Sequence, residues 1–203
     1  MPSTSRFRIP KAELTGLYGA LLKRLAKRMV GDVPDNAYVY FHNKPVLKAV
    51  LGFERKVDTW DALDPTLKSY AQLASAATIG CSWCLDFGYF KAHNDKLDLA
   101  KISQVPRWRE SDAFEPLERD VLEYAEAMTA TPPTVTDWMV EKLLDQLGPA
   151  AVVELTQMIA LENMRSRFNS AAGLQSQGFS DVCELPMATT ATTRHLGAVR
   201  SGA

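Results

Sequence analysis

Long apolar runs are missing from this chain of 203 residues. Nothing approaches the roughly 18–20 consecutive apolar residues that a membrane-crossing helix needs, so a membrane partner is not expected. Met1-Pro2-Ser3-Thr4-Ser5-Arg6 carries no apolar segment of the secretory kind, and a cytoplasmic setting is the expectation. Charge of one sign is lacking too. Lys and Arg total 23 against 24 Asp and Glu, a net charge of −1, so no overall field draws the chain to nucleic acid. Strand signals are absent: no Asn-Gly or Asp-Gly pair joins two alternating runs. No internal repeat of solenoid period is found. Cysteine is scarce and odd in number, with Cys81, Cys84 and Cys183 only, which does not describe a disulfide framework.

What is present is helical. Hydrophobic residues make up 46% and charged residues 23% of the chain, enough apolar material for one core without covalent staples. Residues 1–11 read as an arm. Leu14, Leu17, Tyr18, Leu21, Leu22, Leu25 and Met29 follow helical spacing over 12–29. Asn43-Lys44-Pro45 opens a helix towards Val57, and Asp64-Pro65 opens another that Gly80 can end. A helix begins at Cys81 and runs to about Ala92. A short helix is expected over 97–105, a loop over 106–113, and a helix over 115–129. Thr136 caps a segment to Leu147, Gly148-Pro149 breaks it, and a long last helix follows over 150–172. The expected fold class is all-α, a helical bundle of about seven or eight helices in a single domain over 1–186. The composition over 187–203 predicts a disordered tail.

Cys81 and Cys84 are the chemistry-bearing pair. Three residues apart in a first helical turn, they lie on one face and their sulfurs can join with little backbone movement. A helix N-terminus also lowers thiol pKa values. The pair could equally be two packed core cysteines or half a zinc site. Zinc needs further ligands, and His42, His93, His195 and Cys183 show no paired spacing. A thioredoxin-like motif would follow a strand, whereas the segment before Cys81 is helical. Trp83, Phe87 and Tyr89 read as core or interface aromatics. Arg165 and Arg167 suit either a substrate carboxylate or pairing with Glu162 and other acids. Asn169 reads as a cap or backbone bridge, and Cys183 as a thiol in an irregular tail.

Three runs bear a family likeness. They are Ala76-Ala77-Thr78-Ile79-Gly80 followed by Cys81-Ser82-Trp83-Cys84, Leu122-Glu123-Tyr124-Ala125-Glu126-Ala127-Met128-Thr129 with Pro132, and Glu162-Asn163-Met164-Arg165-Ser166-Arg167-Phe168-Asn169 with Gly173-Leu174 and Gln177-Gly178-Phe179. Together they resemble the carboxymuconolactone decarboxylase family, in its alkylhydroperoxidase D-like branch, from about Leu47 to Phe179. The resemblance implies an all-α fold, a homo-oligomer, and thiol-dependent hydroperoxide reduction. Cys84 would attack and Cys81 resolve. The partners implied are a hydroperoxide substrate and a thiol or dithiol reductant; no bound cofactor is called for. In that branch a Glu twelve residues before the first cysteine and a His four after the second relay protons. Here those positions are Ser69 and Gly88. Weak peroxidase activity is therefore expected, unless Asp86, Tyr89, Lys91, His42 or Glu162 substitutes. The alternatives are a non-catalytic or regulatory helical oligomer and, less well supported, the lactone decarboxylation that names the family, which uses no cysteine pair.

Overall fold

The structure, a computed structural model, describes residues 3–183. The tail over 187–203 and the Cys183 side chain lie outside the described residues. Eight α-helices and two short 3-10 helices occur among the described residues, with no strand. In chain order they are α1 (Gly16–Val30), α2 (Asp35–Tyr40), α3 (Lys44–Val57), α4 (Pro65–Ile79), α5 (Ser82–Asn94), α6 (Leu99–Ile102), α7 (Pro116–Thr129) and α8 (Asp137–Ala172). The 3-10 helices are Val105–Glu110 and Phe179–Cys183. No helix among the described residues is long and apolar enough to cross a membrane.

Local signals set most helix ends. Asp64 Oδ1 accepts the amide of Thr66 at 2.7 Å, and Pro65 occupies the first turn, where its missing N–H costs nothing. Gly80 closes α4 at φ 80°, a left-handed conformation that glycine adopts without a Cβ penalty. Thr136 caps α8 through the amide of Met139. Gly148, at φ 77° and ψ 164°, breaks α8 ahead of Pro149 at the expected place.

Helix α4 is the centre of the bundle and packs against α5, α7 and α8. Its small residues let neighbours approach closely: Ala71, Ala74, Ser75 and Ala76 are all buried. The spacing of Leu67, Tyr70, Ala71, Ala74 and Thr78 predicts one apolar face. Burial instead extends around the helix to Leu73 and Ala76, while Thr78 is exposed. A helix with neighbours on several sides needs no single stripe. Val121 and Leu122 of α7 and Leu143, Leu155 and Ile159 of α8 fill the space around it. Each such side chain contributes about 1.5–3 kcal/mol on leaving water.

Three regions differ from expectation. Helix α2 carries too few residues for a legible period. In α1 the inward residues are Tyr18, Leu22 and Ala26, which pack with Leu14, Val33, Phe41 and Leu47. Leu17, Leu21, Leu25 and Met29 face outward, with Leu17 93% exposed. The region over 106–113 is part 3-10 helix, and Trp108 is buried there with its Nε1 donating to Glu126 Oε1 at 2.8 Å.

The segment after α8 is laid over α5. The N-terminal arm runs beside the segment after α8, with the amides of Arg6 and Arg8 donating to Gly173 O and Ala172 O at 2.9 and 2.8 Å. The C-terminal segment is held by the fully buried Asp86. Its Oδ2 accepts the amides of Gln177, Gly178 and Phe179 at 2.7, 2.8 and 3.2 Å, and its Oδ1 accepts that of Ser180 at 2.7 Å. Gln177 adds a second tie, its Oε1 accepting from Trp83 Nε1 at 2.9 Å and from the Asp35 amide at 2.7 Å. Removing the carboxylate strands four backbone donors. Asp86→Ala is therefore expected to cost about 3 kcal/mol or more, read as a lower thermal midpoint. The amides of residues 177–180 should lose hydrogen-exchange protection before those of α4 do. Uniform protection loss would mean that the segment is held by other contacts.

Candidate active site

Cys81 and Cys84 are joined as a disulfide across the first turn of α5, with Cα atoms 5.3 Å apart. Cys81 is the N-cap, and its Sγ accepts the Cys84 amide at 3.2 Å. The helix begins there because Gly80 reverses the chain out of α4 and the Cys81 sulfur satisfies an otherwise orphaned N–H. Both cysteines are buried, Cys81 at 2% and Cys84 at 8% exposure, so Cys84 is the more open of the two.

Helix α8 crosses the pair from the other side. Asn169, 2% exposed, donates from its Nδ2 to Cys84 Sγ at 3.4 Å. Asn169, Ser166 and Glu162 are spaced three and four residues apart and share a face of the helix. Ser166 Oγ donates to Glu162 Oε1 at 2.7 Å. Burial pushes the Glu162 carboxyl above the ordinary carboxylate range, against the opposing pull of the Arg165 charge and the Ser166 hydrogen bond. Arg165 bridges Glu162 to Glu54 of α3, donating from Nε to Glu54 Oε1 at 2.9 Å. That guanidinium is occupied by acids within the fold, which favours the pairing role over a substrate role. Arg167 donates to Thr131 Oγ1 at 3.1 Å.

Ser69 and Gly88 come together on the wall of one cleft of about 520 Å³, lined also by Val57, Trp60, Lys68, Leu73 and Met158. Gly88 is one helical turn beyond Cys84. A side chain there would crowd its neighbour on α4, because a Cβ on Gly88 would meet Leu73 Cδ2 at 2.6 Å. Lys68 pairs with the buried Glu154 beside this cleft and donates to Trp60 O at 2.6 Å.

The other relay candidates lie elsewhere. Asp86 is spent on the C-terminal segment. Tyr89 is buried, and burial pushes its hydroxyl up to about 12, so it stays protonated near neutral pH and offers no base for a thiol proton. Lys91 is exposed on the cleft rim, 3.8 Å from Asp58. His42 Nε2 is 2.8 Å from Pro10 O, and His93 is exposed near the end of α5. Trp83 stacks on Phe87 at 5.2 Å between ring centres and meets Phe179 edge-on, a packing role. Asn169 is the residue whose place at the sulfur a sequence reading misses. The available signal is three polar residues, Glu162, Ser166 and Asn169, at helical spacing on one face of α8.

Residues 44–127 match the carboxymuconolactone decarboxylase family. The matched segment runs from α3 into α7 and includes Cys81 and Cys84. The fold of the chain is alkylhydroperoxidase D-like. An uncharacterized peroxidase-related protein from Ralstonia eutropha JMP134, described as an alkylhydroperoxidase AhpD core, superimposes with a TM-score of 0.73 at 16% identity, over 85% of this chain and 94% of that one. A variant of the debrominase Bmp8 in complex with 2,3,4-tribromopyrrole gives 0.75 at 18% identity, over 88% and 96%. These likenesses concern the fold. The uncharacterized protein YnjA of Escherichia coli K12 is 37% identical over 124 residues, 61% of this chain and 66% of that protein. The match thus spans slightly less than two thirds of that relative's length.

In this chain, restoring the relay carries a packing cost. Replacing a mid-helix glycine favours the helix by several tenths of a kcal/mol, but overpacking against Leu73 costs about 1–3 kcal/mol. Gly88→His is expected to lower stability on balance. Adding Leu73→Ala should relieve the overlap but remove buried apolar volume of its own. In denaturant titrations, the effects of Gly88→His and Leu73→Ala should be non-additive, with the histidine less costly in the Leu73→Ala background. Additive costs would show that Leu73 rotates away freely.

Proposed function

We propose that this chain reduces hydroperoxides through its Cys81–Cys84 pair, at a modest rate. The Cys84 thiolate attacks the distal oxygen of ROOH. The O–O bond breaks, Cys84 becomes a sulfenic acid, and the alkoxide takes up a proton to leave as ROH. Cys81 then attacks the sulfenic sulfur, the S–S bond forms, and the hydroxyl leaves as water with the Cys81 proton. An external dithiol exchanges with the disulfide and is itself oxidised. One observation carries this reading: the two sulfurs bond across a single helical turn, so the resolving step needs no rearrangement of the helix. The family's likeness to alkylhydroperoxidase D supports it. The modest rate follows from Ser69 and Gly88, because a lost general base typically costs ~10²–10⁴-fold.

A non-catalytic reading has its own support in Leu73, which occupies the space beside Gly88. Anaerobic, reduced protein mixed with an organic hydroperoxide separates the two. The expected outcome is loss of two thiols per chain, dithiol-dependent turnover, and a dimedone-trappable sulfenic acid on Cys84 in Cys81→Ser. Cys84→Ser should be inert. Thiols that survive millimolar hydroperoxide in a folded protein would leave the non-catalytic reading in possession.

The outward stripe of Leu17, Leu21, Leu25 and Met29 supports a homo-oligomer, since isolated chains rarely leave such a row in water. Sedimentation should give a mass at least twice 22.5 kDa, and Leu17→Glu with Leu21→Glu should shift it to the monomer. A wild-type monomer at micromolar concentration would end this expectation.

A further inference from the structure

The backbone around the pair favours the wrong sulfur for the proposed chemistry. Cys81 is the N-cap of α5, where its sulfur receives the Cys84 amide and sits at the positive end of the helix dipole. Cys84 is the third residue of the helix, and its own amide is already committed to Cys81. On these terms alone Cys81 would be the easier thiolate.

We infer that Asn169 reverses this order and selects Cys84 as the attacking sulfur, by donating a hydrogen bond from α8 to its Sγ. This rests on the peroxidatic reading of the pair. The contact is 3.4 Å long and links residues 85 positions apart in sequence. A buried carboxamide costs stability unless it is hydrogen bonded. A hydrogen bond to an ionised acceptor is roughly twice as strong as one to a neutral acceptor. Asn169 therefore gains more when Cys84 is a thiolate than when it is a thiol or half of a disulfide, which lowers the Cys84 pKa.

The position of Asn169 suits this task. Its backbone carbonyl accepts the Leu174 amide at 2.9 Å, at the point where Gly173 ends α8. That ending leads directly into the segment bound by Asp86 of α5, so one end of α8 is tied to the helix that carries the sulfurs. A carboxamide cannot accept the thiol proton near neutral pH. Asn169 thus replaces one part of a relay, stabilisation of the charge, and leaves the proton to solvent.

Site selectivity of alkylation tests this in the full chain. Reduced wild type and the variants Asn169→Ala and Asn169→Asp are treated with substoichiometric iodoacetamide at pH 7, and the labelled cysteine is identified by mass spectrometry. In wild type Cys84 should take most of the label. In Asn169→Ala its rate should fall about tenfold, as expected for roughly one pKa unit, and the label should move to Cys81. Asn169→Asp keeps the shape but replaces the donor with a carboxylate, and should move the label at least as far. A purely structural Asn169 would lower stability without changing which sulfur reacts. If neither variant folds, the wild type still decides: its Asn169 side-chain amide protons should shift in NMR along the Cys84 titration curve, and unmoved resonances overturn the inference. Wild type that labels Cys81 first, or folded variants with unchanged selectivity, also overturn it, whether or not hydroperoxide is reduced. A label that shifts as expected in a protein inert to hydroperoxide sinks the peroxidase reading and leaves the effect of Asn169 on Cys84 standing.

Discussion

The Asp86 carboxylate is the interaction on which the arrangement of the site depends. It is fully buried, and four consecutive backbone N–H groups, those of residues 177 to 180, supply its hydrogen bonds. A carboxylate taken out of water without such partners would be untenable, and four amides without an acceptor nearly so. Each therefore enforces the other. The chain leaving α8 must turn back over α5, and α5 must hold one face towards that chain. The sulfurs, two and five residues before Asp86, are then presented at the first turn of the same helix, where α8 reaches Cys84 through Asn169.

Around that frame the site combines a ready disulfide with little proton-transfer equipment. The residues that approach the sulfurs are a backbone amide and a carboxamide, neither of which titrates near neutral pH. The acids and bases nearby are committed elsewhere. Glu162 is held by Ser166 and Arg165, Arg165 by Glu54, and Lys68 by Glu154. The second of these ties joins α8 to α3 and so steadies the helix that carries Asn169. The cleft bearing Ser69 and Gly88 keeps an apolar wall of Val57, Trp60, Leu73 and Met158.

Much of this was legible locally. Asp64-Pro65, Gly80, Thr136 and Gly148-Pro149 announce their helix boundaries because capping and breaking act within four residues of chain. The Cys81–Cys84 pair at a helix start, and the vacancies at Ser69 and Gly88, are equally local. The family likeness in the runs around Cys81, Tyr124 and Asn169 was visible too, although not what the last of these runs does. Helix α2 is too short to show a period. The outward row of α1 looks like a core stripe because spacing reports that residues share a face, not what the face meets.

The sequence by itself determined that the chain is helical, where most helices begin and end, and that two thiols meet at one helix start. Those properties come from backbone capping, side-chain period and the fixed geometry of one turn. Only the tertiary structure decided that Asn169 meets Cys84, that Leu73 fills the space beside Gly88, and that Asp86 binds the C-terminal segment rather than serving the sulfurs. Each of these joins residues brought together by how α4, α5 and α8 pack. Helical spacing places a side chain on a face, but which neighbour covers that face is settled by the packing of the whole core.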